Sequence, residues 1–537
     1  MIIILFSWIF LLYMISIPGI ILKEQLNLSN NKAFVLLYGV IFQTLFASLF
    51  AFFYKIDDTF FIINLVLILI SSFYVKNKIL PFFGSFFANF SIKFKAIFIL
   101  FVALTALKSA QSPSIFDNET YYIQTIKWIN EYGYVKGLAN VHPFLAQCSF
   151  WHVLQSATNF SFLNYNLNDI NGFILVIGFY YFLEKYNLQV NPFIIVNSIF
   201  LIFYFQFIDS PSPDLPILVI TSIIFYEFIF EKLQSENKKA LLFFIIFLIF
   251  IKLTVIPLLL LAFYILWNEK KARYFFIVLS SLFGTIWIIK NSIITGYPLF
   301  PLSIIDFNLD WKLPAESVNY MYKNINNLGY ASNASLNKSY TIIEKLTYWI
   351  QLNGINRIFN IGSILLILIT PFTPFYRKNS KFKLLYVILV IHFIFLLLTS
   401  PQYRFFLSTF IFLSCINIYQ LLSDKLLKTN LLLIFFSTLL LSSSIIYDIK
   451  SISNQSKFHF SQIINPESVS KYKNEKIEEV QKGNIKFYSP NLPNLYETAN
   501  GNLPCVNKKL LEFYSFYPQL RTSSFEDGFY SKKIKDE

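Results

Sequence analysis

The sequence predicts an all-α membrane protein with about 12 transmembrane helices, joined to a small soluble α/β domain at its C-terminal end. Three observations predict this fold class: 55% of the 537 residues are hydrophobic, only 14% are charged, and the mean hydropathy is +0.55. The surface of a soluble globular protein needs about 25% charged residues. Most of this chain's surface is therefore expected to face lipid.

Candidate transmembrane helices are apolar stretches separated by polar breaks. No basic residues precede the first stretch, and no small-residue cleavage site follows it, so we interpret it as a retained helix instead of a signal peptide. The candidates cover residues 2–22, 33–54, 59–75, 96–108, 170–184, 193–208, 214–231, 274–290, 359–376, 384–399, 404–422 and 430–447.

Clusters of basic residues predict how these helices are oriented, because lysine and arginine accumulate in cytoplasmic loops. The formal net charge of +14 is interpreted in this way, and nucleic acid is not expected as a partner. The clusters occur within residues 76–95, 232–239, 270–273 and 377–383. The stretches on the opposite, extracytoplasmic side are then residues 109–169, 209–213, 292–358 and the tail from about 448.

The apolar stretch 240–267 has basic clusters at both ends, so it must cross the bilayer an even number of times. Lys252 lies at its middle and is followed by Thr254 and Pro257. We expect two half-helices that meet at the outer leaflet, since irregular backbone is tolerated where it lines a protein cavity. The alternative is one long helix with one basic cluster on the unexpected side.

Three segments are predicted along the chain. Residues 1–95 form N-terminal transmembrane helices, residues 96–447 form a transmembrane core with two long outer loops, and residues 448–537 form a small extracytoplasmic domain. The last segment gains Lys, Glu, Asn and Pro, which predicts an α/β domain docked on the membrane part. Apolar residues at helical spacing over 121–132, beside Trp128, predict a helix lying in the membrane interface.

Acidic residues occur in two of the outer loops. Asp117 and Glu119 follow a transmembrane candidate, where a carboxylate can take the proton of an acceptor hydroxyl group. The alternative is a solvated loop or an N-cap for a helix that begins near Thr120. Asp209 and Asp214 flank a proline-rich turn, and capping of the next helix is the alternative for Asp214.

Basic residues are predicted on the same side of the membrane. Lys252 interrupts an apolar segment, where a charge is costly unless it faces a cavity or a partner. Lys290 and Asn291 end one candidate helix, and Arg404 begins another. Arginine binds phosphate through two parallel hydrogen bonds. The alternative for each is a side chain that extends to the lipid headgroups.

The histidines carry no metal-ligand spacing, so no metal site is predicted. We interpret His142 and His152 as packing or hydrogen-bonding residues, and His392 as a hydrogen bond between helices. The sequence has no phosphate-binding loop and no dinucleotide-binding glycine pattern.

The order of these features resembles the GT-C superfamily of membrane glycosyltransferases over residues 96–422. The resemblance rests on the acidic pair at 117 and 119, the turn at 210–214, Lys252, the stretch Lys290–Pro301, and Arg404 between Tyr403 and Phe405. A closer resemblance is to an uncharacterised bacterial membrane family of surface-polysaccharide loci. That resemblance rests on Ile126–Gly133, Gly137–His142, Leu503–Cys505, Leu520–Arg521 and Asp527–Phe529.

The resemblance implies a GT-C-like helical bundle in a bacterial inner (plasma) membrane. It implies transfer of a sugar, with inversion, from a polyprenyl phosphate or diphosphate donor to a glycan or lipid acceptor on the extracytoplasmic face, in cell-surface polysaccharide biosynthesis. Asp117 would be the general base, oriented by Glu119 or Asp214. The residues that would bind substrate and phosphate are Lys252, Lys290, Asn291, Arg404 and His142. The resemblance implies no particular cofactor, and participation of a divalent cation stays open.

Two further functions fit the same sequence features. A polymerase or ligase of lipid-linked oligosaccharide repeats needs the same cations and differs only in its acceptor. A flippase or transporter of lipid-linked glycans predicts internal repeats and ionisable residues at mid-membrane. No internal repeat is detected in the sequence, and most of the acidic residues lie in loops.

Overall fold

The protein is described by a computed structural model that covers residues 1–163, 167–189, 191–267, 269–330, 340–421, 459–473 and 475–533. It is mostly helical, with a small strand region near the C-terminus. The first helices are α1 (Ile2–Leu26), α2 (Lys32–Phe50), α3 (Asp58–Tyr74), α4 (Lys76–Gly84), α5 (Ile92–Ser109), α6 (Ile123–Tyr132), α7 (Phe150–Thr158), α8 (Ile170–Leu188), α9 (Pro192–Ile199) and α10 (Leu201–Phe205).

The second half of the chain continues the bundle. Its helices are α11 (Asp214–Phe230), α12 (Ser235–Ile251), α13 (Leu259–Trp267), α14 (Ala272–Thr295), α15 (Ala315–Tyr330), α16 (Ile342–Gln351), α17 (Ile355–Ile369), α18 (Pro374–Lys378), α19 (Ser380–Thr399) and α20 (Tyr403–Leu421).

Six helical segments among the described residues are long and apolar enough to cross a membrane: α1, α2, α14, Ile355–Phe372, α19 and α20. A seventh results if α3 and α4, bent by 92° at Val75, form one broken span. The prediction of about 12 full spans is therefore not confirmed. Helix α11 has 17 residues, about 25 Å at 1.5 Å per residue, which is short for a full span.

One other predicted span differs from expectation, and one is not tested. The candidate 193–208 is divided into α9 and α10, which meet at Phe200. The candidate 430–447 lies outside the residues that the structure describes.

The predicted interruption at Lys252 is present. Helix α12 ends at Ile251, Lys252 has an extended backbone, and a 3₁₀ turn over Leu253–Leu258 leads into α13. Such a break frees backbone carbonyl groups that lipid cannot satisfy. His392 of α19 contacts one of them, with its Nε2 atom 3.0 Å from the Thr254 carbonyl oxygen. His392 thus links α19 to the 3₁₀ turn after α12, in keeping with the predicted hydrogen-bonding role.

Helix α11 lies at the centre of the bundle. It packs against α8, α12, α19 and α20, and its residues from Asp214 to Ile229 are all buried. Its first residue therefore stands at one end of the bundle, enclosed by neighbouring helices.

The C-terminal segment contains two separate antiparallel hairpins and one short helix. Strands β1 (Ile477–Lys482) and β2 (Ile485–Pro490) form the first hairpin. Helix α21 (Lys508–Phe513) precedes the second, formed by β3 (Phe516–Leu520) and β4 (Phe529–Lys533). The predicted α/β domain is therefore a helix and two hairpins, which are linked to each other by hydrogen bonds of Asn484 with Gln519 and Leu520. Isolated two-stranded hairpins are at best marginally stable in water, so this segment depends on docking.

Helix α6 provides part of the docking surface. Trp128 is 1% exposed, and its ring lies 5.9 Å from Phe525 and 5.6 Å from Phe529. The backbone N–H of Phe529 donates to the carbonyl of Lys136 at 2.9 Å. The helix predicted around Trp128 is present, but its tryptophan packs on the C-terminal segment and not on lipid. Periodicity indicated an apolar face without indicating what covers it.

Candidate functional site

Asp117 directly precedes a π-helical turn, Asn118–Tyr122, that leads into α6. The hydroxyl group of Tyr122 donates to the Oδ2 atom of Asp117 at 3.4 Å. Single π-turns within helices often occur at functional sites. Here the turn sets the side chains of Asp117 and Tyr122 beside one another at the end of the bundle.

Four charged side chains that are distant in sequence form a chain of ion pairs, which we name the charged cluster. Arg404 Nη1 lies 2.6 Å from Asp117 Oδ2 and 3.7 Å from Asp214 Oδ2. The Oδ1 atom of Asp214 pairs with the ammonium group of Lys252. Acid and base thus alternate in the order Asp117, Arg404, Asp214, Lys252.

The local structure explains how each member of the charged cluster is held. Asp214 lies in the first turn of α11, where the helix dipole favours an anion, and it accepts a hydrogen bond from Ser212 Oγ at 3.2 Å. Lys252 projects from the break after α12. Beneath the cations lies the ring of Phe405, whose centroid is 3.9 Å from Lys252 Nζ and 5.1 Å from Arg404 Cζ. Both cations therefore gain cation–π attraction.

Exposure distinguishes the two carboxylates of the charged cluster. The side chains of Asp117, Arg404 and Lys252 are 19%, 17% and 18% exposed, whereas that of Asp214 is 2% exposed. A molecule in solution or in the bilayer can therefore reach Asp117 and the cations. Asp214 lies behind them and holds both cations in place.

Comparison with known proteins assigns a family. A protein-family model described as a domain of unknown function (DUF8201) matches residues 1–412. The chain belongs to the DUF8201 family. The matched range includes all four residues of the charged cluster, and the C-terminal hairpins lie outside it. No curated protein and no solved structure matches the chain. Because DUF8201 carries no described activity, the resemblance to glycosyltransferases stays a prediction.

Glu119 does not join the charged cluster. It accepts hydrogen bonds from Ser470 Oγ at 2.7 Å and from the backbone N–H of Lys471 at 2.9 Å. Its own carbonyl oxygen accepts from the backbone N–H of Thr498 at 2.8 Å. Burial raises the pKa of Glu119, against these hydrogen bonds and the charge of Lys471, which lower it. Glu119 therefore anchors the C-terminal segment.

Lys290 and Asn291 lie near the C-terminal end of α14, and both are 4% exposed. The ammonium group of Lys290 donates to the carbonyl of Cys148 and lies 4.5 Å from the centroid of Phe150. Among the described residues, Lys290 forms no ion pair with a carboxylate. The lysine thus lies beside the start of α7, apart from the charged cluster's ion pairs.

His142 links an outer loop to the C-terminal segment. Its Nδ1 atom accepts from the backbone N–H of Phe144 at 3.2 Å, and its Nε2 atom lies 3.1 Å from the carbonyl oxygen of Tyr496. Burial lowers the pKa of His142 to about 4, so the ring is neutral at pH 7. Among the described residues, no three His, Cys, Asp or Glu side chains are grouped as metal ligands.

Sequence reasoning missed several contacts of polar residues near the charged cluster. Tyr122 and Ser212 contact its two carboxylates, and His152 packs against Tyr122 with ring centroids 4.6 Å apart. Asp209, the first acid of the proline-rich turn, forms a buried ion pair with Lys108 at 2.8 Å. The need for a partner could have been predicted for Lys108, because it lies near the end of an apolar helix, where an unpaired charge is costly. For His152 and Ser212 no signal in the sequence indicates the contact.

Proposed function

We propose that this protein is a membrane glycosyltransferase that transfers a sugar from a polyprenyl phosphate or diphosphate donor to a glycan or lipid acceptor. The observation that carries the proposal is the charged cluster, in which a partly exposed carboxylate lies 2.6 Å from an arginine and two cations surround a buried second carboxylate. The order of its residues along the chain resembles that of GT-C enzymes, which supports the same reaction class.

Asp117 is the proposed general base because it is the accessible carboxylate. The acceptor hydroxyl oxygen attacks the anomeric carbon of the sugar, and its proton passes to a carboxylate oxygen of Asp117. The bond between the anomeric carbon and the phosphate oxygen breaks in the same step. One displacement with one base inverts the anomeric centre.

Arg404 and Lys252 are proposed to stabilise the departing phosphate, which takes the electron pair of the broken bond. Fixed cations aimed at developing negative charge are among the largest contributions to catalysis. Arg404 donates through Nη1 to Asp117 and through Nε to Gln402 at 2.9 Å, and its planar fork has further N–H donors for phosphate. Asp214 is a positioning residue, since it holds both cations and is nearly inaccessible.

An apolar cavity next to α11 supports a lipid-linked donor. The cavity lies between α8, α9, α10 and α11, and its lining includes Phe179, Leu201, Val219 and Ser222. Val219 and Ser222 follow Asp214 by roughly 7 to 12 Å along the helix axis, at 1.5 Å per residue. A hydrocarbon chain in this cavity would have its head near the charged cluster.

Basic residues at the end of the bundle opposite the charged cluster support an extracytoplasmic location for the cluster. Helix α11 runs from Asp214 to Phe230, and at its far end Glu227 and the following Glu231 pair with Lys185 at 2.8 and 2.9 Å. Further basic residues of the predicted cytoplasmic loops lie at this end, and Lys381 Nζ donates to the Glu231 carbonyl at 3.1 Å. By the positive-inside rule we propose that this end faces the cytoplasm. The charged cluster would then face the outside of a bacterial plasma membrane.

The test uses the purified full-length protein in nanodiscs with synthetic polyprenyl phosphate and diphosphate sugars. We expect Asp117→Asn to lower the transfer rate by about 10² or more, since it removes the base. Arg404→Ala is expected to lower it similarly. The matched control is Lys185→Met, which removes two ion pairs at the other end of α11. Undiminished transfer by both cluster variants would contradict the site assignment. Transport of lipid-linked glycan without sugar transfer would favour the flippase.

A further inference from the structure

Helix α16 exposes apolar side chains in a part of the chain that was predicted to be an outer loop. Ile343 and Ile350 are 78% and 37% exposed, and we name this pair the isoleucine flank. The helix has its own start signal, because Thr341 and Glu344 form a capping box. Exposed apolar patches often mark surfaces that contact a protein or a membrane. The isoleucine flank therefore requires a partner outside the chain.

Another face of α16 is fixed to the helical bundle. Trp349 is 0% exposed, and its ring lies 5.9 Å from Phe393 of α19 and 5.7 Å from Phe406 of α20. Its Nε1–H group donates to the carbonyl of Pro401 at 2.7 Å. Pro401 belongs to the turn between α19 and α20 that leads to Arg404. The described residues thus cover this face of α16 and leave the isoleucine flank uncovered.

Helix geometry divides the exposed surface of α16 into two sides. Ile343 and Ile350 are seven residues apart, so they lie within about 20° of each other around the helix axis. Tyr348 is 41% exposed, and it lies about 140–160° away from both isoleucines. One exposed side is therefore apolar, and the other presents a tyrosine, a residue that is enriched where membrane meets water.

The connection to α17 limits the depth of α16. Only Leu352–Gly354 separate α16 from Ile355–Phe372, a segment long and apolar enough to cross a membrane, so the two helix ends are at most about 14 Å apart. Gly354 has φ +65°, which favours glycine and permits an abrupt change of chain direction. In the first turn of α17, Arg357 and Ile358 are both exposed, as expected where a helix passes from headgroups into hydrocarbon. Helix α16 therefore lies near the level of the membrane interface.

We propose that α16 is an interfacial helix whose isoleucine flank binds the acyl chains of the outer leaflet. The exposed apolar surface continues along α17, where Leu365 and Leu368 are 50% and 59% exposed. Acyl chains that cover α17 can also cover the isoleucine flank, while Tyr348 faces headgroups and water. Through Trp349 and Pro401, α16 connects this lipid to the turn that leads to Arg404. The choice of the outer leaflet rests on the proposed orientation, whereas the lipid contact does not require sugar transfer.

Spin labels test the lipid contact in the full-length protein, reconstituted into nanodiscs of palmitoyl-oleoyl phosphatidylglycerol. The label is attached to Ile343→Cys, to Ile350→Cys and, as the matched control on the same helix, to Tyr348→Cys. The native cysteines are buried, and the unsubstituted protein gives the background labelling. Each label is probed with oxygen, which enters hydrocarbon, and with the nickel complex NiEDDA, which stays in water. We expect the ratio of oxygen to nickel accessibility to be about threefold or more higher at positions 343 and 350 than at 348.

Two reference labels define the limits of this ratio. Leu368→Cys lies on the exposed surface of α17, and Glu478→Cys lies on the exposed strand β1. A ratio at positions 343 and 350 equal to that of Glu478→Cys would place the isoleucine flank in water and overturn the proposal. A ratio at Tyr348→Cys equal to that of Leu368→Cys would place the whole helix in hydrocarbon and overturn it as well.

The remaining outcomes separate lipid from protein and this helix from the transferase. Low accessibility of the isoleucine positions to both reagents would show that protein, such as a second copy of this chain, covers the flank, and would overturn the proposal. The expected ratios in a protein that transfers no sugar from any donor would support the interfacial helix and refute only the transferase.

Discussion

Removal of Asp214 tests the interpretation that this residue organises the charged cluster. Its carboxylate is 2% exposed, pairs with Lys252 and lies 3.7 Å from Arg404. Asp214→Ala leaves the ammonium group of Lys252 buried without its counter-charge. Breaking a buried ion pair in this way costs about 3–5 kcal/mol. In this variant Arg404 still has Asp117 as a partner at 2.6 Å. The loss of its contact with Asp214 therefore adds less to the cost.

The stability loss in the companion variant Asp117→Ala is the reference for the loss in Asp214→Ala. The side chain of Asp117 is 19% exposed and that of Arg404 is 17% exposed. Water can therefore replace part of the interaction with Arg404 that Asp117→Ala removes. We expect a loss of at most about 2 kcal/mol. The double variant Asp214→Ala with Lys252→Met removes both charges of the buried pair, and it should recover about 1–3 kcal/mol relative to the sum of the single changes.

The assay is reversible unfolding in mixed micelles with increasing detergent denaturant, followed by the fluorescence of the 7 tryptophans. The free energy of unfolding is measured for wild type, Asp214→Ala, Lys252→Met and the double variant. These four values form a double-mutant cycle. Equal destabilisation by Asp214→Ala and Asp117→Ala would contradict the assigned roles. A coupling energy below about 0.5 kcal/mol between Asp214 and Lys252 would refute the pairing itself.

Two further predictions concern docking of the C-terminal segment. Gly137 has φ +64°, and a Cβ atom there would lie 2.1 Å from the Phe529 carbonyl oxygen, so Gly137→Ala should cost more than about 1 kcal/mol and raise protease sensitivity near β4. Gly84→Ala, whose Cβ would meet no atom within 4 Å, is the matched control; equal sensitivity of both variants would refute the contact. The second prediction follows from His142, whose pKa is lowered from 6.5 to about 4. A base with a depressed folded-state pKa contributes stability above its unfolded pKa, and that stability is lost as pH falls from 6.5 towards 4. Hydrogen exchange at Phe144 and around Tyr496 should accelerate over this window in wild type and change less in His142→Gln, whereas an identical pH response in the variant would contradict the assignment.

Some of the charged cluster was predictable from residue chemistry. Lys252 in an apolar segment, Asp214 at a helix start and Arg404 at the same predicted membrane face each carry a charge that lipid does not tolerate alone. That common constraint makes partners necessary, and the structure supplies them in one place. The pairing order was not predictable, since nothing in a linear sequence states which cation lies nearest to which acid.

Asp117 and Glu119 illustrate the limit of spacing arguments. Residues two apart on a helical turn do not face one another, so the two carboxylates point to different partners. Asp117 contacts Arg404, and Glu119 contacts Ser470 and Lys471, more than 300 positions later. The separation could have been predicted once a helical turn was assumed, but the identity of the distant partner could not.

Composition and hydropathy alone determined that this chain is a helical protein with lipid-compatible surfaces and a break at Lys252, because transfer of apolar and charged groups between water and lipid is a local property of each residue. Tertiary structure decided which acids and cations meet, that α6 packs against the C-terminal hairpins, and that His152 packs on Tyr122. These outcomes depend on how distant segments pack, and packing energies arise between surfaces that a sequence window does not contain.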